Sequence, residues 1–173
     1  MKKVVVIFSD FNFRAIIAFI RTLEKANIQY GIIAKSSEDK IFRTSYGSKV
    51  VYIRKTVLLD LDDIIMGLNQ LKIKLEYDEC MIAPSTEALN RFYLDNKSLF
   101  SKVNCFMPVV QKNLYEKISD KLSFCELCKK YSIDVPKEYY SLDEINLPIV
   151  AKPKKYYSSE KEINIPQILK TKN

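Results

Sequence analysis

The stretch "KKVVVIF" (Lys2–Phe8) decides the fold of this chain. It contains five consecutive apolar residues, most of them β-branched. A strand that is apolar on both faces must be covered on both faces, as the central strands of parallel sheets are. The stretch therefore predicts a central parallel strand at the start of an α/β domain.

Outward from this strand, apolar patterns of helix and strand type alternate along the chain. Asn12 is a candidate N-cap for a helix over 13–26, which has on one face Ile16, Ile17, Ile20 and Leu23. Further strands are predicted at 28–34, 49–53, 79–84 and 104–108, and further helices at 58–75, 85–95 and 96–102. This alternation predicts a parallel, Rossmann-like sheet with helices on both faces. Ligands bind outside the carboxyl ends of such strands, so a site is expected at the loops "SDFN" (9–12) and "PSTE" (84–87).

The formal net charge is +7 over 173 residues, which favours anionic ligands. Six lysines and two glutamates lie between Lys152 and Asn173, so this tail carries a net charge of +4. A nucleic-acid-binding domain more often spreads its basic residues over one face of the fold, so the sequence argues against that class. No apolar run is long enough for a signal peptide or a membrane span, and a cytoplasmic location is expected.

The four cysteines and the absence of histidine limit the chemistry of any active site. Cys125 and Cys128 form a C-x-x-C motif, but a zinc site would need two more ligands. The remaining candidates, Cys80 and Cys105, each stand alone in the sequence. The motif lies in a segment with helical apolar spacing, which favours buried thiols on a helix face. The usual Ser–His and Cys–His nucleophilic pairs are excluded.

The three glycines of the chain do not form a phosphate-binding loop. None lies in the first strand-to-helix turn, where G-x-G-x-x-G would be required, and no G-x-x-x-x-G-K-[ST] is present. The third strand runs into "VVYIRK" (50–55), without the aspartate that a phosphorelay receiver needs there. Dinucleotide-binding, P-loop and receiver interpretations therefore fail.

From Gln111 the pattern changes, which predicts two domains, 1–110 and 111–173. The second contains helices at about 111–118 and 120–131, a short strand near 137–141, a strand ending at Lys152 and one or two edge strands in "EINIPQILKTKN" (162–173). Lys121 opens a helix and Lys152 ends a strand. Two ammonium groups on rigid elements would suit a polyphosphate, and the alternative is a pair of ordinary solvated lysines.

The segment "SDKLSFCELCKKYSIDVPKEYYSLDEINLPIVAKP" (119–153) resembles the opening of the ATP-grasp domain, found in the carbamoyl-phosphate synthase large chain and in biotin carboxylase. The family pattern runs D-K, helix, G-[IV]-x-x-P, short strand, acidic loop and P-[IV]-[IV]-x-K-[PA]. This chain has Asp120-Lys121, Ile133, Pro136 and "PIVAKP" (148–153), with Ser132 in place of the glycine. The preceding α/β unit resembles the domain that comes before ATP-grasp in these enzymes.

The resemblance implies an ATP-dependent ligase that activates a small carboxylate as an acyl phosphate, which an amine or similar nucleophile then attacks. Lys121 and Lys152 would contact the ATP phosphates. The carboxylate would bind at the strand ends, where the candidate residues are Ser9, Asp10, Asn12, Arg14, Ser85 and Thr86. Among these, Arg14 is the strongest candidate because a guanidinium forms paired hydrogen bonds with a carboxylate.

The family's Mg²⁺ ligands are expected downstream of Asn173, so the remainder of an ATP-grasp domain is an expected partner and this chain alone is expected to be inactive. The segment "KKYYSSEKEI" (154–163) stands where the family usually has a glycine-rich flap. The sequence leaves room for a homodimer. Two alternatives stay open, a non-catalytic α/β module whose basic tail docks on a partner, and non-specific nucleic-acid binding by that tail.

Overall fold

The computed structural model describes residues 2–9, 12–137, 139, 145, 147–151 and 167–170. The chain divides into two compact units, Met1–Lys112 and Asn113–Asn173. Within the described ranges, no helix is both long enough and apolar enough to cross a lipid bilayer.

The first unit contains a five-stranded sheet flanked by helices, which confirms the predicted α/β class. The strands lie in the order β3-β2-β1-β4-β5, and each neighbouring pair is parallel. They are β1 (Lys3–Ser9), β2 (Tyr30–Ala34), β3 (Val50–Ile53), β4 (Glu79–Ile82) and β5 (Cys105–Phe106). The helices of this unit are α1 (Phe13–Lys25), α2 (Leu61–Leu75), α3 (Glu87–Asp95) and α4 (Lys97–Lys102). The predicted elements are therefore present, with ends that differ by a few residues.

Strand β1 lies at the centre of the sheet and of the core. It pairs with β2 on one side and with β4 on the other, and residues 4–8 are all buried. Helix α1 covers it with Ile16, Ile20 and Leu23, which are buried as predicted, whereas Ile17 is only partly buried. Burying one such side chain stabilises the fold by about 1.5–3 kcal/mol. The continuous apolar run of β1 is thus explained by cover on both faces.

The cysteines of strands β4 and β5 form a disulfide bond between Cys80 and Cys105. The two residues are register partners on neighbouring parallel strands, with their Cα atoms 4.8 Å apart. The expectation that each stands alone is wrong, because the strand order of the sheet places side by side two residues that are 25 positions apart in the chain.

Among its described residues, the second unit has two helices and a small antiparallel ladder. Helix α6 (Lys121–Lys130) follows helix α5 (Lys112–Ser119), and strand β6 (Ile149–Ala151) pairs with β7 (Gln167–Leu169). The strand predicted near 137–141 falls largely outside the described residues. Both cysteines of the C-x-x-C motif lie in α6 as free thiols, with Cys128 buried and Cys125 partly buried, so their prediction as helix-face thiols is confirmed.

Helix α6 ends on a residue with left-handed backbone conformation. Ser132 has φ 56°, and the next N–H, of Ile133, donates to the carbonyl of Cys128 at 2.9 Å. This is the hydrogen bond that closes a Schellman-type helix end, at which glycine is the favoured residue. Ser132 therefore occupies a position where a Cβ atom is unfavourable and glycine would be favoured.

Candidate functional site

The strand order creates a point at the carboxyl edge of the sheet where the chain connections diverge. From β1 the chain moves to β2 and β3 on one side, and from β3 it returns to β4 and β5 on the other. Beyond the end of β4, the N–H of Ala83 donates to the carbonyl of Val6 at 2.8 Å, which keeps the two strands together. Ligands of open parallel sheets bind at such a point, between the loops that follow the two diverging strands. Here these loops are "SDFN" and "PSTE", as predicted.

On the β1 side of this point, the start of α1 presents a cationic residue. Asn12 occupies the N-cap position, but its side chain makes no capping hydrogen bond. Arg14, the second residue of α1, is exposed and makes no hydrogen bond or ion pair among the described residues. Asp10 lies outside the described residues. The first turn of the helix therefore offers uncapped N–H groups and a guanidinium, and both favour an anion.

On the β4 side, the two hydroxyl residues have different environments. The Oγ atom of Ser85 is buried and has no hydrogen-bond partner in the part of the chain that the structure describes. Thr86 is the N-cap of α3, and its Oγ1 accepts the N–H of Leu89 at 3.1 Å. A threonine hydroxyl that accepts one bond can still donate another. Thr86 can therefore donate to a ligand oxygen, and the buried Ser85 hydroxyl has unused hydrogen-bonding capacity within the described residues.

Ser9, the last residue of β1, was also predicted as a site residue, but its side chain has a structural role. It is 1% exposed, and its Oγ donates to Oδ2 of Asp39 at 2.7 Å. The same carboxylate accepts the N–H groups of Lys35 and Ile41, both at 3.0 Å. Asp39 thereby joins the ends of β1 and β2 to the short 3₁₀ helix that begins at Lys40. The sequence analysis assigned no role to Asp39, although an aspartate directly before such a turn is a common cap.

A second carboxylate missed by the sequence analysis is that of Asp63. It accepts hydrogen bonds from Tyr52 Oη at 2.7 Å and from the N–H groups of Lys55 and Thr56 at 2.9 and 3.3 Å. Burial by itself raises the pKa of Asp63, but these hydrogen bonds outweigh burial and hold the pKa below its usual value. Burial and the bond to Asp63 raise the pKa of Tyr52 to about 12. This network fixes the turn between β3 and α2.

Of the two lysines predicted to bind phosphate, Lys121 is among the described residues and Lys152 is not. Lys121 is exposed and is the first residue of α6, directly after the N-cap Asp120, whose Oδ1 accepts the N–H of Ser123 at 2.9 Å. Lys152 lies outside the described residues, immediately after the last residue of β6. The predicted helix start at Lys121 is present, and strand β6 leads up to Lys152. The end of that strand lies outside the described residues, and the convergence of the two lysines stays a prediction.

Two surface cavities formed by the described residues lie at the opposite, amino edge of the sheet. One of 510 Å³ is lined by residues at the starts of β2 and β3, including Tyr30 and Lys49, and the other, of 540 Å³, by residues at the starts of β4 and β5. In the first, Tyr30 donates to Glu24 at 2.8 Å. Burial, followed by this bond, raises the pKa of Tyr30. Neither cavity contains a predicted site residue.

No metal centre is assembled by the described residues, among which no three or more Cys, His, Asp or Glu side chains are grouped to hold an ion. Lys121 has the chemistry of a phosphate ligand, because an ammonium group binds a phosphate as a point charge.

Comparison with known proteins leaves the family of this chain open. No protein-family profile matches the sequence, and no curated protein matches it. Among solved structures, the biotin carboxylase domain of a single-chain bacterial carboxylase is similar, with a TM-score of 0.49 and 13% sequence identity. The match covers 82% of this chain and 32% of that one, so the chain spans about a third of its length. A likeness this slight transfers none of that protein's properties.

Proposed function

We propose that this chain is the N-terminal part of an ATP-dependent ligase of the ATP-grasp type, similar to the carbamoyl-phosphate synthase large chain. The observation that carries the proposal is the pattern over 119–153, in which Asp120-Lys121 opens a helix and "PIVAKP" follows 28 positions later in its family order. The structure supports it, because α6 begins at Lys121 and β6 leads directly to Lys152. The domains proposed are 1–110, preceding the ATP-grasp domain, and 111–173, its beginning.

The proposed nucleotide ligands are Lys121 and Lys152. Asp120 accepts the N–H of Ser123 and fixes the first turn of α6, at which the exposed Lys121 is the first residue. Pro153 cannot donate an N–H to a ladder, so it favours the end of the strand at Lys152. Each ammonium group would neutralise charge on the phosphates of ATP.

The proposed site for the small carboxylate lies at the carboxyl edge of the first unit. Arg14 would bind the carboxylate through paired hydrogen bonds, with the uncapped N–H groups at the start of α1 beside it. Ser85 Oγ, which is buried and has no partner among the described residues, supports a ligand on the β4 side. Asp10, Asn12 and Thr86 complete the proposed set.

Bound ATP would supply the phosphoryl group that activates the carboxylate toward an amine or similar nucleophile. Magnesium would be held by residues outside this chain, on the remainder of the ATP-grasp domain. A cytoplasmic location and a homodimer belong to the same proposal.

A trapping experiment on the complete gene product tests this function. The protein is incubated with Mg²⁺·ATP, hydroxylamine and a panel of small carboxylates, because hydroxylamine converts acyl phosphates into stable hydroxamates. The proposal expects a hydroxamate with at least one carboxylate, dependent on ATP and lost in Arg14→Ala. ADP formation that no carboxylate stimulates, together with no hydroxamate, would overturn it.

A further inference from the structure

The cavity at the starts of β2 and β3 contains no residue of the proposed ATP or carboxylate sites. Its volume of 510 Å³ is typical of small-molecule sites. The end of α1 and the last turn of α2 contribute to its wall, together with residues at the starts of the two strands. The charged residues of the wall are Glu24, Lys49 and Lys74. The cavity therefore has two cationic residues and one anionic residue around it.

Tyr30 and Glu24 form a hydrogen-bonded pair in this wall. Tyr30 is 6% exposed, and its hydroxyl donates to Oε1 of Glu24 at 2.8 Å. The second oxygen of Glu24, Oε2, has no hydrogen-bond partner within the described part of the chain, and Glu24 itself is exposed. The buried tyrosine thus holds the carboxylate in one position, and the second oxygen can accept a hydrogen bond from a bound molecule.

Lys49 and Lys74 line the same cavity and are both exposed. Lys49 Nζ lies 5.8 Å from the centroid of the Tyr30 ring, which is a cation–π distance. Neither lysine forms a hydrogen bond or an ion pair with any of the residues that the structure describes. Two ammonium groups and one carboxylate give the wall a net charge of +1, so an anion is the favoured occupant.

We propose that this cavity binds a small carboxylate that also carries an amino or hydroxyl group. The carboxylate of the ligand pairs with Lys49 and Lys74, and its amino or hydroxyl group donates to Oε2 of Glu24. The apolar residues of the wall, which cover the carbon chain of the ligand, are Ile28, Val51 and Leu75.

This site is distinct from the carboxylate site proposed at Arg14. Arg14 lies at the start of α1, at the carboxyl edge of the sheet, whereas the cavity lies at the amino edge. The proposal therefore does not depend on the ATP-grasp function and can fail or succeed separately from it.

The test is calorimetric titration of the full chain with aspartate, malate and succinate. These four-carbon dicarboxylates differ at one carbon atom, which carries an ammonium group in aspartate, a hydroxyl group in malate and only hydrogen in succinate. Aspartate and malate are expected to bind, and succinate is expected to bind about threefold more weakly or worse, because it offers no donor to Glu24.

Variants of the wall assign the binding to this cavity. Lys49→Ala and Lys74→Ala are each expected to weaken aspartate binding about fivefold. Lys72→Ala is the matched control, because Lys72 is exposed in the same last turn of α2 and lies outside the wall. It should bind aspartate like wild type. Glu24→Gln should remove the preference for aspartate over succinate, since an amide attracts an ammonium group less than a carboxylate does.

Arg14→Ala separates the two carboxylate sites and should retain the binding described here. The proposal is overturned by no saturable binding of any of the three acids, by equal affinities in Lys74→Ala and Lys72→Ala, or by a preference for aspartate that Glu24→Gln retains. Binding that is lost in Arg14→Ala and intact in the lysine variants would also overturn it, because the acids would then occupy the carboxyl edge. Melting temperatures without ligand show that each variant is folded.

Discussion

The hydroxyl of Tyr52 on β3 donates a 2.7 Å hydrogen bond to Asp63 in the first turn of α2. The same carboxylate accepts the N–H groups of Lys55 and Thr56, so one side chain holds both ends of the β3–α2 connection. Gly67, one turn further along α2, has no Cβ, and an added Cβ would lie 2.7 Å from the Tyr52 ring. The position of the Tyr52 ring is therefore determined both by its hydroxyl and by a glycine.

Removal of the Asp63 charge should destabilise the first unit. Asp63→Asn replaces one acceptor oxygen with a donor NH₂ group that faces other donors, and a loss of about 1–3 kcal/mol is expected in urea denaturation. Asp62→Asn, at the neighbouring exposed position, is the matched control and should change stability by less than about 0.5 kcal/mol. Equal losses of stability in the two variants would show that the hydrogen bonds of Asp63 do not stabilise the fold.

The lowered pKa of Asp63 should affect how the free energy of unfolding changes with pH in the acid range. The unfolded chain binds a proton near the usual value of 3.8, whereas the folded chain binds it only at lower pH. The stabilisation is therefore complete above that value and is lost as the pH falls through the folded-state pKa. Asp63→Asn should lose stability less steeply below about pH 4. An unchanged acid slope in this variant would argue against the assignment.

Tyr77 should make the protein sensitive to alkali. Its ring is buried, its hydroxyl donates to the carbonyl of Leu68 at 3.1 Å, and burial raises its pKa to about 12. The neutral hydroxyl is favoured in the folded state, so its contribution is complete below about pH 10 and declines as the pH rises toward 12. Tyr77→Phe should show a smaller decline over this range and a cost of about 1 kcal/mol at neutral pH. The check is urea denaturation at a series of pH values.

Ser132→Gly should stabilise the second unit. Ser132 has φ 56° at the end of α6, where a Cβ atom is strained and glycine is not. A gain of about 0.5–1 kcal/mol is expected, because relief of strain exceeds the greater flexibility of glycine in the unfolded chain. Ser132→Ala keeps the Cβ atom and should give no gain. Protection of the Ile133 amide from hydrogen exchange reports the change locally, and equal protection in both variants would contradict the expectation.

The order of helices and strands could be predicted from the sequence, because apolar periodicity is local information. The run in β1 and the stripe of Ile16, Ile20 and Leu23 each point to one type of element. The Cys80–Cys105 bond could not be predicted, since it depends on β5 lying beside β4 in the sheet. The burial of Asp63 likewise depends on the packing of β3 against α2, which no local pattern records.

The position of the candidate site could be predicted from the sequence, but the hydrogen bonding of its individual side chains could not, for the same reason. The "SDFN" and "PSTE" loops follow from the rule for parallel sheets, and Thr86 caps its helix as its sequence position suggests. Whether a serine hydroxyl forms a hydrogen bond within the folded protein depends on which residues lie next to it in space. Ser9 is bonded to Asp39, whereas Ser85 is buried with no partner among the described residues, and the two are indistinguishable in sequence.

The central claim, that Lys121 and Lys152 share one nucleotide, is tested most directly by titrating the complete gene product with Mg²⁺·ATP in a calorimeter. Lys121→Ala and Lys152→Ala are each expected to weaken binding about tenfold or more, since a charge-assisted bond to phosphate contributes roughly 1.5–3 kcal/mol. Lys130→Ala, at the other end of α6, is the control and should bind like wild type. Affinities unchanged in both motif variants, or reduced equally in all three, would contradict the account.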